Sequence, residues 1–100
     1  MVRETKTCAF CGRHATCEHH LVFGSSLRRL AERDDLKINL CDSCHNLAIR
    51  PQDRIHGNFA AEKLSKMLGQ SLFERDMCAK GLSPEKAREA FQERYLKNYL

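Results

Sequence analysis

Two pairs of cysteines have the spacing that holds a metal ion between turns. Cys8 and Cys11 form one Cys-x-x-Cys pair, and Cys41 and Cys44 form the other. Each pair is predicted at or beside a turn, where two sulfur atoms face one point, and four thiolates give Zn²⁺ a closed tetrahedral shell. The competing interpretation, a redox Cys-x-x-Cys motif, requires a helix start in a βαβ unit, which this sequence lacks. The spacing therefore predicts a structural zinc site.

Histidines that a four-cysteine site does not need lie in the same part of the sequence. His19 and His20 are adjacent, His45 directly follows Cys44, and His56 comes eleven residues later. Neighbouring side chains of a strand point to opposite faces, so one of the first two can bind a metal while the other stays free. Three neutral imidazoles leave open positions on a divalent ion for water and a phosphate oxygen, and a free imidazole can deprotonate that water. These residues predict a catalytic site holding Mg²⁺, Mn²⁺ or Zn²⁺.

Three further residues, two cysteines and one histidine, are interpreted as structural or surface residues. Cys17 is expected to be a strand cysteine, with an alternative role as a ligand left open. Cys78 falls within a helical pattern and is expected in the core, because free cysteine behaves as a small apolar residue. His14 is expected on the surface.

Basic residues near these motifs are candidates for contacts with nucleic-acid phosphates. The candidates are Arg28, Arg29, Arg50 and Arg54. A solvated basic face is an equally good interpretation of each. The formal net charge of +4 suits a polyanionic partner without requiring one, and the basic surplus is spread over both halves of the chain.

The chain of 100 residues has room for one core, and at this size a metal staple is expected. Hydrophobic residues make up 42% and charged residues 30%, an ordinary balance for a soluble domain. No apolar run predicts a secretory signal or a membrane helix, so a cytoplasmic protein is expected. In that reducing compartment, six cysteines favour metal binding over a disulfide framework.

The elements that must position the cysteines and histidines are short. Residues 7–16 are predicted as a hairpin around the first cysteine pair, and residues 18–23 as a strand. A helix follows to about residue 33, capped by Ser25 or Ser26. Alternating residues 36–40 predict a half-buried strand leading into the second cysteine pair, then a short helix that Pro51 ends.

The second half of the chain is predicted to be helical scaffold. Apolar residues recur at helical spacing over residues 58–79, with Gly69 as a possible kink and Gly81 as the stop. Ser83 and Pro84 predict the start of the last helix. Its predicted buried stripe comprises Ala87, Ala90, Phe91, Tyr95 and Tyr99.

The combined motifs resemble the HNH (His-Asn-His) endonucleases of the zinc-knuckle ββα-metal type. The resemblance covers about residues 8–57 through Cys8-x2-Cys11, Glu18-His19-His20-Leu21 and Asn39-Leu40-Cys41-x2-Cys44-His45. It implies that His19 and His45 bind a metal, that His20 is the general base and that Asn39 orients the catalytic loop. Family members leave a 5′ phosphate and a 3′ hydroxyl, and the same products are expected here.

The chain departs from the family pattern at the third ligand. Many members have a histidine four residues after the position of His45, where this chain has Ile49. We expect His56 to take that role from a longer loop. The segments at residues 19–24, 56–58 and 97–100 are similar to small phage-encoded HNH proteins related to recombination-enhancement nucleases. This implies a phage or prophage origin, a bacterial or phage-infected host cell, DNA as substrate, and a recombination, phage or host protein as a candidate partner.

Together these patterns predict one α+β domain over residues 1–100. A small ββα-metal, treble-clef-like core (8–57) is stapled by zinc and supported by two C-terminal helices (58–100). The predicted function is metal-dependent hydrolysis of phosphodiester bonds in DNA. The alternative is a non-catalytic zinc-finger module that binds nucleic acid or protein, which accounts for the cysteines but not for His19, His20 and His45. Oligomeric state, cleavage preference and the physiological catalytic metal are left open.

Overall fold

The computed structural model describes residues 6–100 as a small mixed structure of two short strands and three helices. The elements are β1 (Cys17–His20), α1 (Leu27–Arg33), β2 (Lys37–Leu40), a π-helical turn (Ser43–Leu47), a 3₁₀ turn (Pro51–Asp53), α2 (Phe59–Ala79) and α3 (Pro84–Tyr95). The strands form a two-stranded antiparallel sheet. The predicted mixture of a small sheet, a cysteine cluster and two C-terminal helices is confirmed at this level.

The hairpin predicted around the first cysteine pair is present. Thr7 and His14 form an antiparallel bridge, and the Cys8 amide donates to the carbonyl of Arg13 at 2.7 Å. Gly12 has a φ of 79°, which a residue with a Cβ rarely adopts. The hairpin thus brings Cys8 and Cys11 round one tight turn, and His14 is exposed as predicted.

The strand predicted over residues 18–23 is shorter than expected, since β1 ends at His20. Leu21 and Val22 are both fully buried, although a strand would place only one of them on a buried face. The chain turns there and presses both side chains against α2. A Cβ on Gly69 would lie 2.7 Å from Cγ2 of Val22 and 3.1 Å from Cβ of Leu21. Gly69 therefore permits close packing inside α2, which continues through this residue as one helix to Ala79.

Two predictions about helix ends near the middle of the chain need correction. Ser26 occupies the cap position of α1 and the helix ends at Arg33 as predicted, but the Ser26 side chain makes no capping hydrogen bond. The segment after the second cysteine pair is a π-helical turn that ends at Leu47, before Pro51. Pro51 instead begins the 3₁₀ turn, where its fixed φ suits the first helical position.

The ends of the long helices are formed by the predicted residues. The side chain of Asn58 accepts from the amide of Ala61 at 3.2 Å and begins α2. Gly81, with a φ of 107°, follows its end. The Ser83 hydroxyl accepts from the amide of Lys86 at 3.2 Å and begins α3.

The main core joins both halves of the chain. Its buried members are Leu21, Val22, Ala31, Leu36, Phe73, Phe91 and Tyr95. On α3, Ala87 is also fully buried and Ala90 is partly buried against the core. Because α3 ends at Tyr95, Tyr99 lies after the helix on whose buried stripe it was predicted, although it still packs against the same core. Asp34, just after α1, accepts from the Tyr95 hydroxyl at 2.6 Å and from Arg94 at 2.7 Å, tying α1 to α3. Helices α2 and α3 thus pack against the first half of the chain through this shared core.

Cys78 is exposed, so the prediction of a core cysteine is wrong. Met77, one residue earlier, packs against the core. Successive helical residues are rotated by about 100°, which turns Cys78 away from that core. Within the described residues, no helix has both the length and the apolar character to cross a bilayer.

Candidate metal centres

The four predicted cysteines come together at one end of the sheet. The sulfur atoms of Cys8, Cys11, Cys41 and Cys44 all lie within 4.8 Å of one another. Sγ of Cys11 is 3.7 Å from Sγ of Cys41. A tetrahedron with Zn–S bonds of about 2.3 Å has edges of about 3.8 Å, so this separation fits a zinc ion at the centre. The prediction of a four-cysteine cluster at metal-binding distance is confirmed.

The electrostatics of this cluster favour thiolates around a cation. Burial raises the pKa of Cys8, but the backbone amides of Cys11, Cys41 and Phe10 outweigh burial and lower it to about 6. Burial and the neighbouring sulfurs raise the pKa of Cys44. One thiol therefore ionises readily while another resists, because neighbouring negative charges repel one another. A divalent cation removes that conflict, and four thiolates are a common ligand set of structural zinc.

Three histidines form a second cluster. Each of His19, His45 and His56 offers one ring nitrogen, and these nitrogens lie within 4.8 Å of one another. The ring centroids are separated by 5.2 Å for His19 and His45, 5.1 Å for His19 and His56, and 4.6 Å for His45 and His56. The structure therefore brings the three predicted metal-binding histidines, including His56 from the longer loop, to one point.

Nε2 of His45 faces Nε2 of His56, and each can present a lone pair to a metal. Nδ1 of His45 is 3.5 Å from Sγ of Cys17, which itself donates to the Leu40 carbonyl at 3.3 Å and is free to accept from the imidazole. Nδ1 of His56 is 3.4 Å from a carboxylate oxygen of Glu62, which only accepts. With the proton on Nδ1 in both rings, the two Nε2 atoms, 3.0 Å apart, present lone pairs that a cation between them would bind. Without a cation, the same separation suits a hydrogen bond between the two nitrogens.

In His19 the roles of the two ring nitrogens are exchanged, so that Nε2 carries the hydrogen and Nδ1 is the ligand atom. Its Nε2 lies 2.8 Å from the Ser65 hydroxyl, which donates to the Leu21 carbonyl at 2.8 Å. The hydroxyl oxygen therefore accepts from Nε2–H, and Nδ1 of His19 is left as the ligand atom. Metal-binding histidines commonly have such a partner on the second nitrogen, which fixes the tautomer.

The His19 imidazole is held neutral, as a metal ligand must be. It is 1% exposed, and burial, followed by the nearby His56, His45 and His20, lowers its pKa to about 3. Burial and His56 also lower the pKa of His45. A neutral ring keeps its lone pair for a metal at neutral pH. The three nitrogens fit a first-row divalent ion with open coordination positions.

The histidine cluster opens into a cavity of about 380 Å³. The residues that line it are Glu18, His19, His20, Phe23, Gly24, Arg28, His45, Asn46 and His56. His20, the predicted general base, therefore faces the same space as the three candidate ligands and is not one of them. Its Nε2 is 2.8 Å from Oε1 of Glu32, and its Nδ1 accepts from Nε of Arg28 at 3.4 Å.

The four candidate phosphate-binding arginines have different surroundings. Arg28 lines the histidine cavity, and Arg29 lines an adjoining cavity with His20 and Glu32. Arg50 pairs with a nearby aspartate on the exposed surface. The guanidinium of Arg54 donates to the carbonyls of Ala48 at 2.6 Å and His56 at 2.7 Å, so its contacts brace the loop that carries His56.

Asn39 lies on β2 opposite Glu18 and lines a different cavity from the histidines. Its backbone carbonyl accepts from the amide of Ala9 at 2.8 Å, which links β2 to the first cysteine hairpin. Within residues 6–100, its side chain makes no hydrogen bond, and the predicted orienting role stays a prediction. Asn46 lines the histidine cavity instead.

Sequence reasoning missed several residues that support the cluster. Ser65 and Glu62 lie on α2, which was interpreted as scaffold, and Cys17 was weighed only as a strand residue or a ligand. Asn46 carried one signal, its position directly after His45. Ser65 carried none, because a serine 46 residues from its partner has no readable spacing.

No family model matches the chain, and neither the curated proteins nor the solved structures compared with it contain a match. The resemblance to HNH endonucleases accordingly depends on the motif residues themselves.

Proposed function

We propose that this protein is a metal-dependent DNA endonuclease of the HNH, ββα-metal type, built on a treble-clef-like zinc knuckle. The observation that carries the proposal is the convergence of three imidazoles on one point of an open cavity that a fourth imidazole, outside this cluster, also lines. The cysteine cluster needs none of these histidines. A zinc-finger binding module accounts for the sulfur atoms alone.

The residues divide into those that hold the metal and those that act on the substrate. His19, His45 and His56 would hold a divalent ion through Nδ1, Nε2 and Nε2 respectively. When bound, the ion would supply Lewis-acid stabilisation of charge on the phosphate and on the leaving 3′ oxygen, which takes its proton from solvent water. His20 takes a proton from the attacking water through Nδ1, the nitrogen that carries no hydrogen in this structure.

The substrate class follows from the charge around the cavity. Arg28 lines it and Arg29 lines the adjoining one, so both guanidinium groups are placed for phosphate oxygens on either side of the cleaved bond. The net charge of +4 favours a polyanionic substrate. The openness of the cavity to solvent suits a backbone phosphate lying across it.

Cleavage of supercoiled plasmid with added Mg²⁺, Mn²⁺ or Zn²⁺ tests the proposal. Wild type is expected to nick or linearise the plasmid, and His20→Ala to lose about 10²- to 10⁴-fold in rate while keeping both metals. His14→Ala, which removes an exposed histidine from the first hairpin, is the matched control and should cut like wild type. A wild-type protein that binds DNA without cutting it under every metal would contradict the proposal and favour the binding module.

A further inference from the structure

Glu32 links the predicted general base, His20 on β1, to Lys37 on β2. It lies in the last turn of α1, where Oε1 is 2.8 Å from Nε2 of His20 and Oε2 accepts from Nζ of Lys37 at 2.8 Å. Lys37 and His20 are direct partners across β1 and β2. The carboxylate thus spans a cross-strand pair, one oxygen on each residue. Nζ of Lys37 also donates to Glu18 at 3.5 Å, which fixes the ammonium from a second side.

This arrangement determines which nitrogen of His20 is basic. The hydrogen bond from Lys37, followed by that from His20, lowers the pKa of Glu32, so its carboxylate stays ionised and can only accept. The hydrogen of neutral His20 must therefore sit on Nε2. Nδ1 is left with the lone pair, which accepts only a long hydrogen bond from Arg28 at 3.4 Å.

The contact with Arg28 suggests how Nδ1 becomes available. At 3.4 Å the hydrogen bond is long, and Arg28 is an exposed residue that lines both cavities beside His20. A phosphate offers the guanidinium a stronger, charge-assisted partner than an imidazole nitrogen. A phosphate bound in the cavity would therefore draw Arg28 from Nδ1, while the contact with Glu32 would keep the ring in place.

We propose that Glu32 is a positioning residue for catalysis, holding His20 as the Nε2–H tautomer with Nδ1 directed to the attacking water. This inference rests on the proposed nuclease function and deepens it. Stability alone is a poor explanation of the contact, because the Glu32 side chain is 55% exposed and exposed ion pairs contribute little to folding. The imidazole that it holds is only 11% exposed, so its orientation is well defined.

Long-range proton–nitrogen NMR correlation of ¹⁵N-labelled, zinc-loaded protein at about pH 8, where an ordinary imidazole is neutral, reads the tautomer directly. Wild-type His20 is expected as Nε2–H, and Glu32→Ala as a mixture of tautomers with unchanged signals for His19, His45 and His56. Glu32→Gln keeps an acceptor oxygen of similar reach and should retain much of the Nε2–H form. Wild-type His20 found as Nδ1–H, or unchanged in Glu32→Ala, would overturn the proposal.

Steady-state cleavage kinetics supply the second readout. Glu32→Ala is expected to lower kcat by about 10- to 100-fold, which is less than the loss of about 10²- to 10⁴-fold expected when the general base itself is removed, and to leave KM unchanged. Glu32→Gln should fall between Glu32→Ala and wild type. The matched control is Glu89→Ala, which breaks an exposed pair with Lys86 on α3 and should leave kcat unchanged. A Glu32→Ala enzyme with wild-type kcat would overturn the proposal.

The two readouts separate this inference from the proposed function. If wild type cuts no DNA but its His20 tautomer depends on Glu32, the positioning role is supported and the nuclease function fails. If wild type cuts DNA and the tautomer is indifferent to Glu32, the nuclease function stands and the positioning role fails.

Discussion

The cysteine cluster and the histidine cluster are two candidate metal centres that differ in how they surround their centre. The cysteines surround their centre with four sulfur atoms, two of them in buried residues, and leave no ligand position open. The histidines surround theirs with three nitrogens and leave one side open to a cavity of about 380 Å³. The first arrangement leaves no position for a further ligand, whereas the second leaves room for one.

The two clusters also differ in what orients their ligands. The cysteines are placed mainly by backbone, through the first hairpin and the turn after β2, and backbone amides act on the Cys8 sulfur. The histidines are placed by side chains, namely Ser65, Glu62 and Cys17. Metal binding at ligands that the backbone places should be little affected by most side-chain substitutions around them. Metal binding at ligands that side chains orient should change when one of those side chains is replaced. The following predictions test that difference, from the largest effect to the smallest.

Removing a buried cysteine ligand should have the largest effect. Cys8→Ser is expected to release the structural zinc and to unfold the metal-binding half, because zinc binding supplies much of the folding free energy of such small sites. Zinc content by mass spectrometry and thermal unfolding by circular dichroism measure both. Cys78→Ser, which changes the exposed cysteine of α2, is the control and should keep zinc and melting temperature. Wild-type stability in Cys8→Ser would show that the cluster does not staple the fold.

Removing a histidine ligand should abolish catalysis and spare the fold. His45→Ala is expected to keep the zinc held by cysteines, to lose the second metal and to lose more than about 100-fold in cleavage rate, since even indirect metal contacts contribute 10- to 100-fold. Metal stoichiometry, plasmid cleavage and a melt measure the three effects. If His45→Ala loses both metals together, the two centres are one cooperative unit.

The Ser65 hydroxyl should matter to the histidine centre alone. Ser65→Ala leaves Nε2 of His19 and the Leu21 carbonyl without their buried partner. We expect about 1–3 kcal/mol lower stability and a 10- to 100-fold weaker second metal, measured by urea unfolding and metal titration. Ser71→Ala, on an exposed turn of the same helix, should change stability by less than about 0.5 kcal/mol. Equal effects of the two substitutions would contradict the role assigned to Ser65.

Close packing at Gly69 should act through the segment that follows His19. A Cβ there meets Val22, a buried β-branched side chain with little freedom to move. Gly69→Ala gains about 1 kcal/mol of helix propensity but loses about 1–3 kcal/mol to overpacking, so a modest net loss of stability is expected. Metal titration should show weaker binding at the histidines and unchanged zinc at the cysteines. A stabilised variant would mean that α2 shifts freely.

The pH dependence of stability should report the burial of His19. Its folded pKa, lowered to about 3, lies below the ordinary value of about 6.5, so over that interval only the unfolded chain takes up the proton. Protein with zinc at the cysteines alone should therefore lose stability as pH falls from about 6.5. Urea unfolding at successive pH values gives the free energy of unfolding as a function of pH. This free energy should fall less steeply with pH in His19→Gln, whose side chain does not titrate. An equal pH dependence in the two proteins would contradict the burial argument.

The sequence predicted the parts of these centres that local spacing encodes. Cys8 and Cys11 lie round one turn, and the alternation of a strand separates His19 from His20, so the ligand types and the free base were readable. The sequence did not predict that β1 ends at His20. The burial of both Leu21 and Val22 depends on Gly69, which lies in α2, 47 residues after Val22 in the chain. For the same reason, the orienting roles of Ser65, Glu62 and Glu32 had no local signal.

Cobalt substitution tests the central claim, two metal centres of different donor type, most directly. The first equivalent of Co²⁺ added to metal-free protein should give the intense charge-transfer absorption of cobalt bound to thiolates. A second equivalent should add only weak visible bands of a nitrogen- and oxygen-bound ion, and these bands should be absent from His45→Ala. Saturation at one equivalent in wild type, or a second equivalent with thiolate absorption, would contradict the account.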